Sequence, residues 1–247
     1  EIARAIMALN IVYPGFNPAD SKPGPEGYIS ARGLRRTVKN LSGTGNRSRL
    51  SGPYVYDQAS EKAYGDIFAP TYIGEYSAKI ARMLEEAKGE GIVLVYSQYL
   101  ESGAVPLALA LERAGYARRD GPALWDAAGP APPAEQGGYV LITGDKTLSP
   151  NNKASVAMAT AKDNVRGERV KVVVISQTGS QGVDLRAIRQ VHLLDPWYNL
   201  GRVAQIVGRA RRRCSHVDLP PDQRNVSLYF YGTRLQNREE AADVYVD

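Results

Sequence analysis

Gln205-Ile206-Val207-Gly208-Arg209-Ala210-Arg211-Arg212 is the segment whose residue types and spacing carry the most chemistry in this chain. Taken as a helix at about 100° per residue, Gln205, Arg209 and Arg212 fall at 0°, about 40° and about −20°, on one narrow face. Val203, Val207 and Ala210 then lie opposite, free to pack against a sheet. Two guanidiniums and an amide presented together suit a polyphosphate, because arginine offers fixed, forked and permanently charged donors. A basic face with no ligand is the bland rival. A Gln-x-x-Gly-Arg-x-x-Arg match arises by chance in only about one in several hundred chains of this length, which disfavours it.

The second signal is Ser176-Gln177-Thr178-Gly179-Ser180-Gln181-Gly182-Val183-Asp184, directly after an apolar run ending at Ile175. Hydroxyls, an amide and two glycines at the carboxyl end of a parallel strand stand where open α/β sheets bind ligands. Glycine there lets backbone N–H groups approach phosphate oxygens. Alone, this segment reads equally as an ordinary Gly/Ser loop. Gly144-Asp145-Lys146-Thr147 imitates the end of a phosphate-cradling loop, but Asp145 and Val140 occupy positions that require glycine, and no Asp-Glu box follows a strand to hold magnesium. Trp197 and Tyr198 are read as packing residues at a strand-to-helix corner. Cys214 is read as a small buried residue, and His192 and His216 have too few neighbouring ligands for zinc.

Composition narrows the setting. With 247 residues, 43% of them hydrophobic, the chain can bury a sizeable core as one or two domains, which excludes disordered, collagenous and disulfide-framework classes. A single cysteine favours a reducing compartment, no apolar run approaches the roughly 18 residues of a membrane span, and residues 1 to 25 lack a signal pattern. The reading is a soluble, intracellular chain with no membrane partner. It begins at Glu1 within helix-like sequence, as expected of a piece of something longer. The net charge of +5 is unevenly spread: residues 27 to 56 hold Arg32, Arg35, Arg36, Lys39, Arg47 and Arg49 with no acid, and residues 201 to 213 hold five arginines with no acid. Without those eleven cations, 20 basic residues stand against 26 acidic ones. Two concentrated positive segments on an otherwise acidic chain point to a polyanion; the rival is a solvated loop at 27 to 56.

The elements that must position these residues alternate. Apolar runs at 92–96, 139–143, 170–175, 190–194 and 226–231 read as buried strands. Between them, helical spacing covers about 73 to 87 and 104 to 115, and Ser149-Pro150 is expected to open a helix reaching about Asn164. Strands alternating with helices imply βαβ units and a mostly parallel sheet covered on both faces. Pro and Gly crowd residues 14 to 53, read as an irregular linker or insertion, and residues 117 to 138 read as a surface insertion.

Together these motifs resemble the C-terminal helicase half of superfamily 2 ATPases. Gly182-Val183-Asp184 is similar to motif V and Gln205 to Arg212 to motif VI, while Val95-Tyr96-Ser97-Gln98-Tyr99 resembles motif IV and Ile142-Thr143-Gly144 the strand-end motif after it. The stretch from Ile188 to Asn199, with Cys214-Ser215-His216, resembles the D6/D11-like helicases of large double-stranded DNA viruses. The resemblance covers about residues 70 to 233. It implies an α/β, RecA-like domain at 70–247 with a mostly parallel β-sheet flanked by helices on both faces, preceded by a less regular, basic N-terminal flank at 1–69. It further implies that Arg209 and Arg212 act as arginine fingers, that Gln205, Gly208, Gly182 and Asp184 meet ATP, and that Ser97, Thr143, Gly144, Ser176, Gln177 and Thr178 meet the backbone of DNA or RNA. Magnesium would be held by an N-terminal RecA-like domain of the same protein, so this chain alone is expected to be inactive. Transcription machinery is a further expected partner, and nucleus, cytoplasm, virion or viral factory the expected location. A non-catalytic nucleic-acid-binding or transcription-assembly module with the same fold is the alternative. Lysine at 209 and 212 would spare such a module and cripple a motor.

Overall fold

The computed structural model describes residues 2–16, 25–42, 50–126, 136–179, 182–195 and 200–232. Its centre is a six-stranded, all-parallel sheet built from β3 (Ile92–Tyr96), β4 (Ala117–Arg118), β5 (Gly138–Ile142), β6 (Val172–Ile175), β7 (Ile188–Leu193) and β8 (Ser227–Phe230), in the order β4-β5-β6-β3-β7-β8. The five apolar runs are five of these strands. β3, β5 and β6 are buried along their whole length, as parallel strands covered on both faces must be.

Successive side chains of these strands feed two cores. On one face, Val93, Val95, Leu141, Val172 and Val174 pack against α5 (Ala78–Glu86) and α6 (Val105–Arg113). On the other, Leu94, Tyr96, Ile142, Val173 and Ile175 pack against Ala159 of α7 (Asn152–Ala159) and against Val203, Ile206 and Ala210 of α8 (Leu200–Ala210). The helical spacing at 73 to 87 resolves into two pieces, a short α4 (Ile73–Tyr76) and α5, because the Ser77 hydroxyl caps the Ile80 N–H at 3.1 Å and starts a new helix. A five-residue π-turn, Leu100–Ala104, leads into α6, with Pro106 early in that helix. Asn151, not Ser149 or Pro150, caps α7, accepting from Ala154 N–H at 3.0 Å; the helix ends at Ala159 and a separate 3-10 turn spans Lys162–Asn164.

The N-terminal part is less regular than the sheet. It holds α1 (Ile2–Asn10), α2 (Ser30–Thr37), an antiparallel pair of β1 (Val38–Asn40) and β2 (Tyr54–Tyr56), and α3 (Gln58–Tyr64). Ile11, Tyr13, Leu34, Val38, Tyr54 and Phe68 nevertheless join the core on the α5/α6 face. Gly33 permits this packing, since a Cβ there would strike Tyr13 and the Tyr28 backbone. The beginning of the 117 to 138 stretch is also anchored: Tyr54 bridges to Trp125, whose ring lies 4.9 Å from that of Tyr56 and 4.1 Å beneath the Arg113 guanidinium. Residues 127 to 135 lie outside the described residues.

Candidate functional site

Register levels the carboxyl ends of four strands. Ile142 and Tyr96 both pair with Ile175, and Tyr96 also pairs with Leu193. The loops that begin at 97, 143, 176 and 194 therefore open on one end of the sheet, and the segments 97–99, 143–144 and 176–178 meet there.

Within these loops the residues expected to touch nucleic acid divide into two layers. Gly144, Gln177 and Thr178 are exposed, and Gly144 seats directly on Thr178, whose side chain a Cβ would strike. Ser97, Thr143 and Ser176 lie buried beneath them. Ser97 donates to Asp195 Oδ1 at 2.6 Å, the Thr143 and Ser149 hydroxyls hydrogen-bond to each other at 2.7 Å, and Ser176 Oγ accepts from Gly179 N–H at 3.2 Å. In this conformation each of the three hydroxyls makes a hydrogen bond within the protein that shapes the loop above it. Gly179 has no room for a side chain, because a Cβ would sit on the Ile142 carbonyl.

The arginine-bearing segment also differs from the single helical face expected of it. α8 ends at Ala210, where Ser215 Oγ donates to the Ala210 carbonyl at 3.3 Å and the chain turns through Cys214 at φ 62°. Arg212 therefore lies in the turn rather than on the helix face with Gln205 and Arg209. The two arginines converge all the same, on the segment resembling motif V. Arg209 Nη1 donates to Val183 O at 3.0 Å, and Arg212 Nη1 pairs with Asp184 Oδ1 at 3.1 Å. Burial, and secondarily the neighbouring Arg212 charge, pulls the Arg209 pKa down from its ordinary value, and its Nε is enclosed with no acceptor. Asp184 and Arg212 are both about half exposed. Gln205 and Gly208 are exposed on α8, and Gly182 stands open at φ 69° with nothing near its missing Cβ. Ile206, rather than Val207, takes the inward position between Val203 and Ala210.

Sequence reasoning missed a buried polar hub. The Asp195 carboxylate, 2% exposed, accepts from Asn10 Nδ2 (3.1 Å), Ser97 Oγ (2.6 Å) and Gln98 N–H (2.6 Å). Lys79 Nζ bridges Asn10 Oδ1 (3.1 Å) and Leu194 O (2.7 Å). Burial raises the Asp195 pKa against the pull of Ser97, Gln98, Asn10 and Lys79, and burial lowers that of Lys79 against the pull of Asp195. The available signal was Lys79 itself, a cation one residue from Ile80 at the start of an otherwise apolar helix face. Gln98 in turn accepts from Arg202 on α8 at 3.3 Å.

Cys214, expected buried, is exposed in the turn after α8. His192 is fully buried, stacked 4.3 Å from the Tyr229 ring, with Nε2 donating to Gln190 Oε1 (3.0 Å) and Nδ1 accepting from Tyr231 (2.6 Å); burial pushes its pKa down to about 4. Trp197 and Tyr198, and Ser180 and Gln181 of the glycine loop, lie outside the described residues. Among the described residues no three His, Cys, Asp or Glu side chains gather as a metal site, and no helix is long and apolar enough to cross a membrane.

With a parallel sheet and an arginine-bearing helix meeting the 183–184 segment described, comparison with known proteins adds the following. Residues 138–214 match the helicase conserved C-terminal domain. A protein of Acanthamoeba polyphaga mimivirus, provisionally named an ATP-dependent RNA helicase, is 33% identical over 205 residues, 80% of this chain and 34% of the relative. A termination factor NPH-I homologue of African swine fever virus is 30% identical over 252 aligned residues, 92% of this chain and 34% of the relative. The matched chain spans about a third of the length of these relatives.

Proposed function

We propose that this chain is one half of an ATP-dependent nucleic-acid motor, and that its arginines complete an ATPase site whose phosphate loop and magnesium ligands belong to an N-terminal RecA-like domain. The observation that carries this reading is the convergence of Arg209 and Arg212 on Val183 and Asp184. Arg212 would bind the terminal phosphate and Arg209 would brace the same charge. Gln205 and Gly208 would line the cleft, and the open Gly182 would allow close approach of backbone to nucleotide. Asp184 would contact the ribose. Holding Arg212 on Asp184 until nucleotide arrives costs little, because an exposed ion pair is worth only about 0–1 kcal/mol. Magnesium, bound with ATP, would neutralise phosphate charge; the donor set for it is not among the residues described here. Gly144, Gln177 and Thr178 would carry the strand's backbone, positioning it without reading sequence. The names of the viral relatives favour transcription as the setting.

The test is ATP hydrolysis with and without single-stranded and duplex DNA or RNA, by this chain and by the protein extended upstream. Stimulated turnover only in the longer protein, lowered roughly 10³- to 10⁵-fold by Arg212→Ala, is expected of an arginine finger. A rate within a few-fold of wild type for that variant overturns the assignment. No turnover by either protein, with nucleic-acid binding retained in Arg209→Lys and Arg212→Lys variants, would point to the non-catalytic module instead.

A further inference from the structure

The basic N-terminal flank has no assigned role, yet the fold places it at the working end of the sheet. α2 packs on the π-turn Leu100–Ala104, and Gly33 at its centre closes onto Tyr13, whose hydroxyl donates to Glu101 O at 2.6 Å. Next to it, β2 carries Tyr54 within electrostatic reach of both Glu101 and Asp145. The flank therefore lies at the same end on which the loops after β3, β5 and β6 open.

The outward face of α2 is cationic. Arg32, Arg35 and Arg36 are exposed within an arc of about 100° on a helix of 3.6 residues per turn. Leu34 and Thr37 point inward. None of the three arginines forms an ion pair with a described residue, and Arg36 lies 4.9 Å over the Tyr28 ring, held outward by that stacking. Lys39, by contrast, is paired with Asp57 at 2.5 Å. From residue 27 to 56 the sequence contains no acid, Arg35 shares a small cleft with Glu101, and Asp57, beside the end of α2, is taken up by Lys39. At the opposite end of the sheet, cations line a cavity of about 340 Å³, but Lys171 there donates to Gly89 O and Arg189 to Asn225.

We propose that Arg32, Arg35 and Arg36 form a second phosphate-binding surface that extends the strand track from Gly144, Gln177 and Thr178 onto the flank, its ligand being the phosphodiester backbone of single-stranded nucleic acid. This rests on the nucleic-acid reading above. The contacts would be charge-assisted, indifferent to sequence and strongly salt-dependent.

The experiment is fluorescence anisotropy of this chain with labelled single-stranded DNA and RNA oligonucleotides between about 50 and 200 mM salt, comparing wild type with Arg32→Gln/Arg35→Gln/Arg36→Gln and with the triple lysine variant. Each lost contact is expected to lower the slope of log K against log salt by about 0.7, so the glutamine variant loses about 2 units and binds about 10- to 100-fold more weakly at low salt, while the lysine variant keeps most of both. All three positions are exposed, and an unchanged melting temperature certifies the fold. Wild-type binding with the same affinity and slope in the glutamine variant overturns this proposal alone. No binding by wild type to either oligonucleotide overturns it together with the reading on which it rests. Lysine variants as weak as glutamine would also overturn it, since the loss would then not follow charge.

Discussion

Asp195 and Asp184 flank the same strand, β7, and do opposite work. Asp195 is sealed from water and meets Asn10, Ser97 and Gln98, with Lys79 beside it. Asp184 stands half exposed and meets Arg212 through a single contact. Taking a carboxylate out of water is expensive and is offset only by several well-placed donors, so the Asp195 network cannot exchange partners cheaply. A solvated pair can. The difference teaches that the two ends of β7 divide holding from yielding: at the carboxyl end the hub fixes the loop after β3 and, through Gln98, Arg202 of α8, while near the amino end the solvated pair costs little to separate.

The comparison breaks most readily at the hub. Asp195→Ala should cost about 3–5 kcal/mol, because it strands the Lys79 cation and the Ser97, Gln98 and Asn10 donors without an acceptor; a urea midpoint shifted by less than a third of that would mean the network is already wet. His192, buried beside the hub's strand, gives the next effect. Its folded pKa of about 4 lies below the unfolded value of about 6.5, so its contribution is complete above pH 6.5 and is lost as pH falls toward 4. The slope is about 1.4 kcal/mol per pH unit and the total about 3 kcal/mol. His192→Asn should flatten the stability profile between pH 6.5 and 4, and parallel profiles for the two proteins would contradict it. Gly182→Ala should cost about 1 kcal/mol from the positive φ alone, since nothing crowds the new methyl; a larger loss in thermal melting would reveal a contact not seen here. Smallest of all, Arg212→Ala should change stability by no more than about 0.5 kcal/mol in thermal melting, and 1 M salt should erase even that difference, as expected of an exposed pair.

Much of the sheet was legible because buried parallel strands are continuous apolar runs, and Ile92–Tyr96 and Val172–Ile175 could hardly be anything else. β4, only two residues long, carries no periodicity to read. The sequence singled out both the 182–184 segment and Arg209 and Arg212, but not the contact between them, which depends on tertiary packing. The end of α8 at Ala210 was not legible either, because no glycine or proline marks it; the stop comes from the Ser215 contact and a left-handed Cys214. The layering of the loops was equally hidden. Ser97, Thr143 and Ser176 have the chemistry of strand-binding residues, and only tertiary burial diverts their hydroxyls to Asp195, Ser149 and Gly179. For the flank, Pro and Gly density between 14 and 53 masked α2, whose one glycine, Gly33, serves close packing rather than a turn.

The core that runs from Ile11 through Phe68 into Leu107 and Leu141 has a practical corollary. A chain trimmed at residue 69 would uncover the aromatic and aliphatic faces now roofed by Tyr13, Leu34, Tyr54 and Phe68, and such a truncate should precipitate rather than persist as a smaller soluble unit. In a protease digest the flank and the sheet should accordingly survive or vanish together, with a single melting transition recording their shared fate.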